Sequence, residues 1–227
     1  STLDRSSAAS DVYKRQVVNG VYADGSIEAA KIAKMSDLTG ASALLCFPPQ
    51  SMAMGGHLRP EMALEHFKRI ADATDLPLIC FNYPSIGNLT YPFDTLLKLF
   101  ETVPTIKAIK DWSNDPMVHE KHIKTFQNLS NPVNVLTTHS SWLMSSLVMG
   151  AKGLLSGAGS VIASLQVELF NAVKAKNLVQ TTYNAMMQAI KIIKEDIHLG
   201  DIGSVIQDLL FNSENICHFG SDASDNF

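Results

Sequence analysis

A lysine stands near the end of the run Ile106-Lys107-Ala108-Ile109-Lys110-Asp111, among isoleucine and alanine side chains. An ammonium flanked by apolar groups loses hydration, which lowers its pKa and makes the neutral amine available to attack a carbonyl. Lys110 thus has the position and surroundings of a Schiff-base lysine, although a strand-end lysine paired with a carboxylate gives the same signal. Lys107 is out of phase with it and is expected to point toward a helical layer, pairing or snorkelling there. Asp111 and Trp112 are expected to set the following turn and pack at the rim. Upstream, Leu78-Ile79-Cys80-Phe81-Asn82-Tyr83-Pro84 carries aromatic residues at alternate positions, putting Phe81 and Tyr83 on one side of a strand. Downstream, Thr137-Thr138-His139-Ser140 places Thr138 on the same side as Lys110, where its hydroxyl could orient a water or a substrate hydroxyl. His139 is either an acid–base group titrating near neutrality or a group that caps the next helix or bonds the backbone.

Two further clusters invite chemistry and fit it less well. The histidines of His119-Glu120-Lys121-His122 are three apart, not at the four-residue spacing of a metalloprotease helix, and a solvated helix face is the expected reading. Gly153, Gly157 and Gly159 could cradle a phosphate, but no lysine or arginine follows them before Lys174.

The elements that must position these residues alternate in type. Strand patterns run over Val17 to Val21, Ala43 to Phe47, Leu78 to Tyr83, Ile106 to Lys110, Val133 to Thr138 and Gly153 to Ser156. Helical patterns lie between them, over Ser26 to Thr39, Pro60 to Thr74, Phe93 to Glu101, Pro116 to Asn128 and Ser140 to Met149. Strands apolar on both faces alternating with helices imply an α/β fold with parallel strands, and a serial run of such units favours a barrel over an open sheet. A closed (β/α)8 barrel has eight strands, so the chain reads as an incomplete one, lacking two at the N-terminal side if the Gly153 strand is the last. The segments around Val161 to Ala175, Leu178 to His198 and Ile202 to Phe211 read as extra C-terminal helices outside the barrel. Residues 1–16 are polar, lack periodicity and either resemble translated cloning-adapter sequence or form an ordinary disordered N-terminal tail, so the barrel and its helices are assigned to 17–211 and a frayed tail to 212–227.

Composition bounds the function. The 227 residues, 46% hydrophobic and 18% charged, suit one large soluble domain. Eighteen Lys and Arg against 22 Asp and Glu give a net charge of −4 without a basic run, which argues against nucleic acid as a partner. Apolar stretches such as Ala41 to Pro49 are too short to span a bilayer, so no membrane association is expected. Cys46, Cys80 and Cys217 lack metal-ligand or redox spacing, as expected of a reducing, cytoplasmic setting without disulfides.

The segments Leu76 to Pro84, Ile106 to Asp111 and Gly150 to Gly157 resemble the dihydrodipicolinate synthase and N-acetylneuraminate lyase family, in its order and spacing. The resemblance covers roughly Val17 to Lys194. It implies a (β/α)8 barrel with strands three to eight present, and a class I aldolase that holds pyruvate or a related 2-oxo acid as an imine on Lys110. It implies no metal or organic cofactor, because the protonated imine is the electron sink, and a homo-oligomer, dimer or tetramer, when complete. Leu155, Ser156 and Gly157 match the segment lining the pocket beside the imine; a turn that needs glycine is the simpler account. The family's proton-relaying tyrosine falls at Phe81, whose ring carries no proton. Tyr83, two residues on, either supplies a substitute phenol or packs at the rim. The family's Gly-Thr-Thr-Gly-Glu type loop is absent, as are the synthase arginine, where Ser85-Ile86-Gly87 stands, and its lent aromatic. These departures point away from dihydrodipicolinate synthase itself. They leave either a Schiff-base lyase or aldolase for another substrate, or a non-catalytic ligand-binding relative with a degraded relay.

Overall fold

The computed structural model describes residues 16–192 and Ser204. Residues 1–15, most of the C-terminal helical segments beyond Ile192 and the tail from Asn212 lie outside the described residues. The chain divides into two compact units, Ser1–Val161 and Ile162–Phe227.

In the first unit, six strands alternate with helices in the order β1 (Val18–Val21), α1 (Ser26–Leu38), β2 (Ala43–Cys46), α2 (Pro60–Ala71), β3 (Leu78–Asn82), α3 (Phe93–Thr102), β4 (Ile106–Asp111), α4 (Pro116–Phe126), β5 (Asn134–Thr137), α5 (Leu143–Met149) and β6 (Gly153–Leu154). The strands are all parallel and pair in chain order, β1-β2-β3-β4-β5-β6. An open doubly wound sheet reverses its strand order at one point, whereas this one never does, so every crossover steps the same way. The result is a parallel six-stranded half-barrel.

Local chemistry accounts for the element boundaries. Asp115 caps α4 by accepting the N–H groups of Met117 (2.8 Å) and Val118 (3.3 Å), and Pro116 occupies the first helical position. α5 ends at Gly150, whose φ of 110° a side chain would resist. Most strands stop earlier than their apolar patterns, so Phe47, Tyr83, Thr138 and Ser156 lie just past strand ends, while β4 runs on to include Asp111.

The register sets two kinds of rung. Val21, Cys46, Cys80, Ile109 and Val135 stand side by side and join the core with Phe67, Leu96, Leu99, Phe100 and Phe126 of the helices. The next rung, Phe81, Lys110, Leu136 and Gly153, faces the opposite side. A register shift near the start of β3 and β4 leaves Lys107 exposed, where its Nζ donates to Asn131 Oδ1 at 3.3 Å.

Helix α6 (Gly159–Ile192) departs from helical angles at Ile162 (φ −122°, ψ 31°). The separate helices expected over Val161 to Ala175 and from Leu178 are one helix as far as Ile192, because Lys176-Asn177 holds neither glycine nor proline to interrupt it. Among the described residues no helix is long and apolar enough to cross a membrane.

Candidate functional site

Lys110 is the penultimate residue of β4 and neighbours Phe81 and Leu136 in the ladder. It is half-buried, its Nζ lies 4.1 Å from the centre of the Phe81 ring, and burial lowers its pKa from the ordinary lysine value. Desolvation and the ring's electron-rich face act on the ammonium in opposite senses.

Around the lysine the strand ends supply aromatic rings. Phe81 packs on Tyr83 (4.5 Å between centroids), edge-on to Phe47 (5.2 Å), and in stacked orientation with Trp112 (6.2 Å). Tyr22 continues the row beyond Phe47 at 5.9 Å. Phe81 and Tyr83 are thus on one side, as their alternation requires. Burial, and secondarily the nearby Tyr22 phenol, raise the Tyr83 pKa, which keeps its hydroxyl protonated. Trp112 packs at the rim as expected.

Thr138 directly follows the last residue of β5 and is half-buried. Leu155 donates its N–H to the Thr137 carbonyl at 2.9 Å, extending β6 by one residue along β5. Ser156 Oγ is 2.8 Å from Ser140 Oγ and accepts the Ala158 N–H at 3.2 Å. Gly157 is exposed, with open space where a Cβ would stand. The phosphate-cradle reading loses its donors here, since the N–H groups of Ala158, Gly159 and Ser160 bond within the turn to Ser156 and Gly157.

His139 departs from the expected near-neutral titration. Its ring stacks on Trp142 at 4.3 Å, and Nε2 is buried with no hydrogen-bond partner. Burial lowers its pKa, with Asp111 opposing and His119 adding to the shift. Its backbone N–H donates to Thr137 Oγ1 at 3.2 Å.

The structure overturns the reading of His119-Glu120-Lys121-His122 as a solvated face. His119 and His122 are buried, and each donates through Nδ1 to Asp111 Oδ2, at 2.7 and 2.8 Å. They belong to the stripe 119, 122, 123, 126 that also carries Ile123 and Phe126, a helical spacing that could have marked them as inward-facing. Asp111 does set the turn, through Oδ1 and the Ser113 N–H at 2.9 Å, but it is also the buried hub of this cluster. Burial alone would raise its pKa; the donors and charge of His119 and His122 draw it well below the carboxylate range.

The cluster extends from His119 Nε2 to Ser146 Oγ (2.7 Å), and from Ser146 Oγ to Thr137 Oγ1 (3.0 Å). Aspartate, imidazole and serine in series have the order of a hydrolytic triad, but Ser146 has no exposed surface, so no substrate carbonyl reaches it. Neither Ser146 nor Thr137 stood out in the sequence.

A model of the dihydrodipicolinate synthetase family matches residues 9–218. The 4-hydroxy-tetrahydrodipicolinate synthase of Helicobacter acinonychis (strain Sheeba) is 28% identical over 160 residues, covering 70% of this chain and 50% of that protein. The chain thus spans about half the length of that relative. Among solved structures, YagE, a prophage protein of the dihydrodipicolinic acid synthase family from E. coli K12 in complex with pyruvate, is similar with a TM-score of 0.67 at 18% identity, over 90% of this chain and 67% of that one. Dihydrodipicolinate synthase from Aquifex aeolicus is similar with a TM-score of 0.64 at 20% identity, over 90% and 77% of the two chains. At these identities the structural likeness speaks for the fold.

Proposed function

The chain belongs to the dihydrodipicolinate synthetase family, and from that premise we propose that Lys110 forms an imine with pyruvate or a related 2-oxo acid. The full-length protein then acts as a class I aldolase-type lyase that joins or cleaves a carbon–carbon bond or dehydrates a hydroxy acid. The observation that carries this reading is the placement of Lys110, on the face opposite the helix-facing core, at the end of β4, with its ammonium destabilised by burial. Its neutral amine attacks the ketone carbon and water leaves. The protonated imine then withdraws electrons from the adjacent carbon without a metal or organic cofactor.

In this reading Thr138 orients the substrate, His139 stands behind it, and Leu155, Ser156 and Gly157 line the pocket. Tyr83 takes over proton transfer from the position occupied by Phe81. The six strands correspond to strands three to eight of a (β/α)8 barrel within 17–211, and the complete protein is a cytoplasmic homo-oligomer. A second reading, a non-catalytic ligand-binding relative, is favoured by Phe81, which cannot relay a proton.

Incubating the full-length protein with pyruvate and borohydride separates the two. A mass gain on the peptide containing Lys110, abolished by Lys110→Ala and retained by Lys107→Ala, is the expected result. Absence of labelling at any lysine, with pyruvate or other 2-oxo acids, leaves the binding relative.

A further inference from the structure

Asp111 and Thr137 are the last residues of β4 and β5, and they are partners in the final rung of that ladder. On the helix-facing side the same pair is joined a second time through side chains. His119 of α4 donates to Asp111 Oδ2 at 2.7 Å, its Nε2 meets Ser146 Oγ of α5 at 2.7 Å, and Ser146 Oγ donates to Thr137 Oγ1 at 3.0 Å. All four side chains are fully buried. The circuit leaves one strand end and returns to its ladder neighbour, and it draws one helix after each strand into the closure. Thr137 Oγ1 also accepts the His139 N–H at 3.2 Å, fixing the direction in which the chain leaves β5.

Lys110 precedes Asp111 and Thr138 follows Thr137, so each is one peptide from a member of the circuit. A buried circuit with every link within hydrogen-bond distance resists small displacements, because moving any member strands a donor or acceptor away from water. We propose that Asp111, His119, Ser146 and Thr137 form a clasp behind the sheet that sets the position of Thr138 relative to Lys110, and that His119, Ser146 and Thr137 are positioning residues for that site. The mechanical part stands on the geometry alone. Its consequence for chemistry rests on Lys110 being the imine lysine. The other titratable groups at the clasp are His122 from α4, His139 beyond β5 and Cys80 from β3.

The test uses the full-length protein with Ser146→Ala, Thr137→Val and His119→Asn, the last keeping a donor for Asp111 but not reaching Ser146. Lys107→Ala, on the same strand outside the clasp, is the control. Amide hydrogen exchange reads the mechanical part. The His139 amide is expected to exchange about 10-fold faster or more in the three variants, with β1 and β2 amides unchanged. Unaltered His139 exchange overturns the clasp whether or not an imine forms. Borohydride trapping with pyruvate reads the chemical part. The rate at saturating pyruvate is expected to fall about 10- to 100-fold, with the half-saturating concentration nearly constant, and Thr137→Ser is expected to restore it. The Thr137→Val loss is expected to vanish in a Thr138→Val background, because the first acts through the second; additive losses overturn the positioning role. Wild-type protein that is never labelled, with exchange changed as expected, removes the imine reading and leaves the clasp standing.

Discussion

Replacing Asp111 by asparagine tests the buried cluster through stability. The asparagine carbonyl still accepts the Ser113 N–H, held at 2.9 Å in the native turn. Its amide group, however, replaces the oxygen that accepts Nδ1–H from His119 and His122 at 2.7 and 2.8 Å. Two buried donors then face another donor. Each unsatisfied group costs about 1–3 kcal/mol, so the two together cost about 2–6 kcal/mol. At about 2–4 °C per kcal/mol for a chain of this size, the melting temperature falls by about 4–24 °C. Asp115→Asn is the matched control. Asp115 is exposed and caps α4, and asparagine caps a helix as well as aspartate, so its melt shifts by no more than about 2 °C. Thermal unfolding followed by near-ultraviolet circular dichroism compares the two. The pH dependence carries a sign. The folded pKa of Asp111 lies below its unfolded value of about 4, so its stabilisation is present above that pH and is lost as the pH falls. Asp111→Asn lacks this portion of the acid sensitivity. If the two variants melt together, the histidines have changed tautomer to accept the new amide, and a carboxylate is not what holds the cluster.

Three further expectations follow from other parts of the molecule. Because burial lowers the Lys110 pKa, the pH midpoint of pyruvate trapping falls below the 10.5 of an ordinary lysine, and a midpoint at that value refutes the desolvated site. Burial lowers His66 from 6.5 to about 4, so the unfolded chain takes up a proton first and stability is lost as the pH falls through that window. His66→Leu flattens that loss in urea unfolding measured at several pH values, and an unchanged slope assigns it to another group. Phe126 is fully buried, 4.9 Å from Phe100 and 5.4 Å from Phe93 between ring centres, so Phe126→Ala costs about 3–5 kcal/mol in urea unfolding, whereas exposed Ile86→Ala costs less than about 0.5 kcal/mol.

Local periodicity carried the fold class and the facing of the lysine. An apolar run of alternating phase can only be a strand with two distinct faces, so Phe81, Tyr83 and Lys110 were legible as strand-end groups, with Phe81 and Tyr83 on one side. Strand lengths were less legible, because the strand patterns run on to Phe47, Tyr83, Thr138 and Ser156, past the ends of the strands. A strand ends where its neighbour's backbone ends, and the neighbour is distant in sequence. The histidines of α4 show the same limit more sharply. Their three-residue spacing fits a polar face rather than a metal-binding helix, while the stripe they share with Ile123 and Phe126 places them inward. What makes an inward histidine tolerable is a partner, and its partners come from β4 and α5, with Thr137 of β5 one link further. A sequence records which groups need hydrogen bonds; only the packing of distant elements decides which groups meet those needs, because burial removes the water that would otherwise do so.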